Sequence, residues 1–239
     1  MVTNTPVPKD FTFTWSYGSV STYKNCPLRY WAEKVAKVVP YEKNEKTLWG
    51  EDVHEALEKS ARDKVQLPSN MSQYLPTLQK VEHLATISQH VEYERQFAVT
   101  AESVPCGWWD KGVSGRAAAD VFALVIPEYA IIIDYKTGKP PWGQSMQPVI
   151  NAKMVFDHYP TVQRVDTSFV YMHHDRTDYD KFERAHIDSD FQPVAETMYR
   201  MKQSIANENF PAVKHGLCKK HCGFFECPHN GRIDKDNFK

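Results

Sequence analysis

Apolar residues fall at helical spacing in some stretches of the chain and in alternating or continuous runs in others. Val53, Leu57 and Ala61 recur every four residues and predict a helix over 48–62. A second helical pattern covers 20–38, where Pro27 must start a new turn or kink the axis. Pro68 and Pro76 bracket a linker, and 77–97 then reads as one long helix. The stretches 112–124 and 129–135 read as neighbouring strands joined by a turn around Pro127 and Glu128. Gly138, Lys139, Pro140 and Pro141 stop the second of them. Beyond lie a helix over 144–158, a strand over 162–172 and a last helix over 190–207. Helices, a strand pair, a helix, a strand and a helix, in that order, predict an α/β fold with a central mixed sheet flanked by helices.

Length and composition narrow this picture. A chain of 239 residues, 41% of them hydrophobic, suits one compact domain, placed here over 16–239 behind an N-terminal arm at 1–15. The 29 basic and 30 acidic residues nearly cancel, so a nucleic-acid partner must be met by a local patch. No apolar run approaches the ~20 residues of a membrane span. The opening MVTNTPVPKDFTFTW lacks the charged and apolar regions of a signal peptide, so a cytoplasmic protein is expected. In that compartment the five cysteines are ligands or thiols before they are disulfides.

The strand IIIDYKTGK, 131–139, carries the first chemistry. Side chains alternate along a strand, so Asp134 and Lys136 point one way and Tyr135 the other. In the preceding strand Asp120 is an isolated acid between Ala119 and Val121. If the strands pair as a hairpin, the two carboxylates converge on a hard-oxygen site suited to Mg²⁺ or Mn²⁺. A lysine beside them can orient water and offset phosphate charge. Taken alone, the motif is better explained by a strand-end salt bridge between Asp134 and Lys136, with Asp120 bonded to a turn.

Two more stretches extend the pattern. His54 in WGEDVHEALE, 49–58, lies one helical turn before Glu58, and Gln147 follows the lysine strand. Gly-X-X-X-His, Gly-Arg-X-X-X-Asp, Asp-Tyr-Lys-Thr-Gly and Gln, in that order, resemble the RecB-type branch of the PD-(D/E)XK nuclease superfamily, including CRISPR-adaptation nucleases and phage exonucleases. The resemblance implies a restriction-endonuclease-like core, with His54, Asp120 and Asp134 holding the metal, Lys136 catalytic and Gln147 positioning substrate or lysine. Where that family often has a tyrosine, this chain has Asn151. An acid ahead of the strands sometimes contributes there, and Glu92 and Glu94 are both placed for it. The implied activity is a metal-dependent deoxyribonuclease, an exonuclease acting on DNA ends or single strands in recombination, repair or phage DNA processing. The chain would then be phage-encoded in a bacterial host, with a helicase or recombination partner supplying any unwinding. The alternatives are a DNA-binding subunit without catalysis and a structure-specific endonuclease or RNA nuclease.

The cysteines complete the resemblance. Cys218, Cys222 and Cys227 crowd into LCKKHCGFFECPHNGR, while Cys26 stands alone in TYKNCPLRYW. One early and three late cysteines look like the ligands of the [4Fe-4S] cluster of such nucleases, here stapling Cys26 to the tail at 214–232. Structural Zn²⁺ is the alternative, since His221 and His229 lie nearby. The same segments hold basic residues, Lys24, Arg29, Lys214, Lys219 and Lys220, that would bind DNA beside Tyr23, Tyr30, Trp31, Phe224 and Phe225 as a stacking surface. Solvated lysines over an aromatic core account for the pattern equally well.

Overall fold

The computed structural model describes residues 5–40, 43–140, 143–174 and 176–231. The chain divides into two compact units, residues 43–191 and residues 1–42 with 192–239. The span 16–239, read from the sequence as one domain, is thus shared between them. The expected arm at 1–15, whose first four residues lie outside the described ones, belongs to the second unit.

The unit at 43–191 is built on a five-stranded mixed sheet in the order β1-β2-β3-β4-β5. Strands β1 (His90–Val99), β2 (Gly115–Ile126) and β3 (Tyr129–Lys136) form an antiparallel meander. Strand β4 (Arg164–Tyr171) lies parallel to β3, so the chain must cross over, and helix α5 (Gln147–His158) makes that crossing. Strand β5 (Arg176–Glu183) closes the edge antiparallel to β4. Helix α3 (Glu45–Asp63) starts at Asn44, whose side chain caps the Thr47 N–H. It and α4 (Leu75–Ile87) cover one sheet face, where Val53, Leu57, Leu78 and Val81 pack on Val121, Ala123, Ile133 and Tyr135. On the opposite face Phe122 stacks on Tyr159 and Phe97 meets His158, both at the end of α5.

The other unit holds α1 (Tyr17–Asn25), α2 (Pro27–Tyr30) and a π-helical turn over Trp31–Val35. The break falls at Cys26, and Pro27 takes the first position of α2, where its missing N–H costs nothing. Tyr23 donates to Arg200 O and pairs with Ser204 on α6 (Ile187–Ala206), a helix that begins in the sheet unit and ends in this one. The short α7 (Cys218–His221) lies in the tail.

The structure corrects the helix expected over 77–97. It ends at Ile87, where the Ser88 hydroxyl bonds back to Leu84 O, and residues from His90 enter the sheet. Strand β1 is at the sheet edge and mostly half-exposed, so its apolar pattern lacks the clean alternation that marks a strand. Strand β5 was invisible for a related reason. Its sequence, RTDYDKFE, is half-exposed or exposed throughout, and its ladder to β4 supplies the order.

Candidate active site

The acids sit where the sheet loses its regularity. Tyr93 pairs with Val121 and Arg95 with Ala119, which sets Glu94 opposite Asp120 in a register step that forms no pair. Along β1, Tyr93 packs with the α3–α4 cluster, yet Phe97 meets Phe122 and His158 on the other face. Residues four apart on an unbroken strand share a face, so the alternation must fail between them. It fails at Glu94, whose φ of +50° is in the left-handed region that a residue with a Cβ adopts at a cost. The same slip occurs in β2, where Asp120 turns toward α3 although its neighbour Val121 does too.

This paired irregularity delivers both carboxylates to His54. Ligand atoms of His54, Glu94 and Asp120 lie within 4.8 Å of one another, the one such group of three among the described residues. His54 Nδ1 lies 3.0 Å from Asp120 Oδ1, and the other oxygen of Asp120 accepts the Tyr135 N–H. The His54 ring rests edge-on against Tyr135. Glu92, the other acid left open by the sequence, is held by His90, Arg95 and Tyr159. That network separates it from the group Glu94 joins.

Asp134 approaches from the opposite face. Its neighbours Ile133 and Tyr135 belong to the α3–α4 cluster, so its side chain points toward α5. There Gln147, the first residue of α5, donates Nε2 to Asp134 Oδ1 at 2.8 Å, and Lys136 Nζ pairs with Oδ2. Lys136 also lies over the Phe169 ring. Asp134 and Lys136 do share a side, as alternation predicts. The pair of β2 and β3 last registers at Val121 and Ile133, so Asp120 and Asp134 lie just past the point where the ladder ends.

Electrostatics bind the two halves. Burial pushes the Asp134 carboxyl up, and the Asp120 charge adds to this while Lys136 opposes it. Partial burial, then Asp120, push Glu94 up to about 7, an effect tempered by solvent because Glu94 is at an exposed rim. Burial disfavours the His54 imidazolium, but the hydrogen bond and charge of Asp120, with Asp134 and Glu94, outweigh it and raise the pKa. A site that accumulates negative charge and holds protons to offset it is one a divalent cation would relieve.

Helix α3 comes close enough to bring His54 in because residue 50 is glycine. A Cβ on Gly50 would lie 2.9 Å from Thr137 Oγ1, at the end of β3. The glycine thus lies at a close approach of helix and strand end, one turn before His54. Gly50, His54, Glu58, Glu94 and Thr137 line an open cleft of about 530 Å³.

In the second unit, Cys26, Cys218, Cys222 and Cys227 line one small apolar cavity with Phe224 and Asn230. Three of the thiols are buried. Cys26 Sγ accepts the Val213 N–H and Cys218 Sγ the His215 N–H. Burial pushes the Cys222 thiol up. Cys106 lies in the other unit. Among the residues expected to bind DNA, Lys24 and Lys219 are exposed, Arg29 pairs with Glu33 at 2.6 Å, and the Lys220 side chain is outside the described residues. Tyr23, Tyr30, Trp31 and Phe224 are core residues, packed edge-to-face in two pairs, so for these four the aromatic core is the reading that holds. Asn151 is buried too.

The model of the PD-(D/E)XK nuclease superfamily matches residues 14–124, a span that takes in His54, Glu94 and Asp120 and ends before Asp134. No curated protein matches the chain. The crystal structure of a candidate exonuclease from Eubacterium rectale aligns with a TM-score of 0.52 at 13% identity, over 93% of this chain and 89% of that one. The structure of SSO0001 aligns over the same shares at 15% identity with a TM-score of 0.41, too low to bear on the argument. No helix among the described residues is long and apolar enough to cross a membrane. The chain is thus similar over 14–124 to the PD-(D/E)XK nuclease superfamily, and its fold is similar to that of the Eubacterium rectale protein.

Proposed function

We propose that the protein is a divalent-metal-dependent deoxyribonuclease, an exonuclease that takes DNA at ends or as single strands. The observation that carries this reading is the convergence of His54, Glu94 and Asp120 beside the buried Asp134–Lys136 pair. Two carboxylates and an imidazole fit Mg²⁺ or Mn²⁺, with Asp134 able to join from the opposite face. Such an ion supplies an activated water at neutral pH and offsets charge on the scissile phosphate. The protein's own part is positional. Tyr135 N–H and His54 fix the two oxygens of Asp120, and Gln147 fixes Asp134. Lys136, drawn to Asp134, is placed to orient the attacking water and to meet phosphate charge.

The four cysteines are assigned to a [4Fe-4S] cluster joining Cys26 to the tail, with structural Zn²⁺ as the alternative. A small apolar pocket lined by four sulfurs, two of them already accepting backbone N–H bonds, suits thiolate ligation, and such bonds would help set the potential of a bound cluster. Lys24, Lys219 and Lys220 are assigned to the DNA backbone. The setting is recombination, repair or phage DNA processing.

The test is digestion of end-labelled linear single-stranded, linear duplex and circular single-stranded DNA with Mn²⁺, with an RNA competitor. Linear DNA lost rapidly while circles persist supports the exonuclease. Nicked circles indicate a structure-specific endonuclease, degraded RNA an RNA nuclease, and metal-independent binding without cleavage a DNA-binding subunit.

A further inference from the structure

The loop between β1 and β2 presents an aromatic surface that the metal chemistry does not use. Trp109 is 85% exposed, and Trp108 beside it is half-buried. The Arg116 guanidinium lies 5.6 Å from the Trp108 ring centroid and 5.8 Å from that of Trp109, and its Nε donates to Trp108 O. Arg116 forms no ion pair among the described residues. The exposed indole leaves a large apolar face uncovered, and the guanidinium beside it holds a positive charge at the same spot.

The loop is held in place before any ligand arrives. Cys106 N bonds to Ala98 O, Ser114 N to Val99 O and Asp110 N to Gly107 O. The Asp110 carboxylate takes the Gly107 N–H at 2.6 Å, and a Cβ on Gly107 would come within 2.7 Å of it. The nearby acids are thereby engaged, Asp110 by this bond and Glu92 by Arg95 and His90. A cleft of about 570 Å³ runs from Trp108 past Arg95 to Glu94, the acid that also belongs to the metal group.

We propose that Trp109, Trp108 and Arg116 form a stacking platform for a base of an unpaired DNA strand whose backbone runs along this cleft to the metal group. The proposal rests on the nuclease reading for the direction of the strand and deepens it by naming the substrate as single-stranded at this point. Aromatic faces accept any base, so the platform confers strand state and not sequence. The arginine adds a cation beside the phosphate path, and the pinned loop avoids an ordering cost on binding. A duplex cannot use it, because its bases are already stacked on one another.

The experiment is fluorescence anisotropy of labelled dT20 with the whole protein in chelator, alongside cleavage kinetics in Mn²⁺. Trp109→Ala should weaken dT20 binding roughly 5- to 150-fold, the loss expected for one stacked base. It should raise KM for linear single strands with kcat changed far less, and leave binding of an end-closed hairpin duplex as it was. Trp109→Phe should restore most of the affinity, and Arg116→Gln should weaken binding in part. Wild-type affinity and KM in Trp109→Ala would overturn the platform while leaving the nuclease intact. Loss of dT20 binding in Trp109→Ala, with no cleavage by the wild type in any metal, would retain the platform and overturn the nuclease.

Discussion

Gln147, at the start of α5, donates its amide to a carboxylate oxygen of Asp134 on β3 at 2.8 Å. A buried carboxylate deprived of one donor is left under-satisfied, at a cost of about 1–3 kcal/mol. Gln147→Leu should lower stability by that order and slow cleavage, because Asp134 then leans wholly on Lys136. Thermal unfolding and initial rates measured on the same preparation check both effects.

Glu94 and Glu92 are two residues apart and differ in role. Glu94→Gln should weaken Mn²⁺ binding about tenfold or more, since it removes one of three converging ligands. Glu92→Gln should leave it unchanged and disturb only the His90, Arg95 and Tyr159 contacts. Isothermal titration of the two variants separates them.

The raised groups give the metal-free protein a pH dependence of defined sign. Glu94 ordinarily titrates near 4.5 and is pushed up to about 7 here. The folded protein therefore holds this proton more tightly than the unfolded chain. Its stabilisation is complete below about 4.5 and lost as pH rises toward 7. His54, also raised, adds in the same direction through its own range. With chelator present the protein should melt lower at pH 8 than at pH 6, and Glu94→Gln should reduce the difference. Divalent ions bind the deprotonated site, so added Mn²⁺ should stabilise more at pH 8 than at pH 6.

The close approach of α3 to β3 predicts an effect from one methyl group. Gly50→Ala has to displace the Thr137 hydroxyl, or the helix or strand end that brings it close, to relieve the contact. Cleavage should fall about tenfold or more while a stability loss stays near 1–3 kcal/mol, the range for forcing an extra methylene into a packed site. Activity at the wild-type level would remove Gly50 from the account of how His54 is placed.

Cys26→Ala should lower the melting temperature and the iron content of protein purified without oxygen. Asp134→Ala should leave the iron content unchanged, because the cysteines and the acids lie in different compact units. Zinc in place of iron in the wild type would transfer the assignment to Zn²⁺.

What the sequence displays follows from where each residue's partners are. Strand β3 was legible because Ile132 and Ile133 are buried on opposite faces, and Asp134 and Lys136 stand out against them. The Gly50–His54 spacing was legible as helix periodicity. Glu94 was not separable from Glu92, because the choice depends on a left-handed residue in an edge strand, which no side-chain pattern announces. The opposite approaches of Asp120 and Asp134 were hidden for the same reason. Simple alternation puts them on one face, and the slip that separates them is visible only in the backbone. The aromatic residues near the cysteines could be read as a surface or a core, and Tyr23, Tyr30, Trp31 and Phe224 are core, while Trp109, in a turn, carries an exposed ring.

The central claim is that Asp120, Asp134 and Lys136 serve one metal-dependent cleavage. Single-turnover digestion of end-labelled linear single-stranded DNA in Mn²⁺ tests it most directly, with wild type beside Asp120→Ala, Asp134→Ala and Lys136→Ala. Unfolding curves for each variant accompany the rates. The account predicts cleavage by the wild type that stops with chelator, and losses of several orders of magnitude in all three folded variants. Lys136→Ala should still bind Mn²⁺. Near-wild-type cleavage in any folded variant, or cleavage undiminished by chelator, would contradict it.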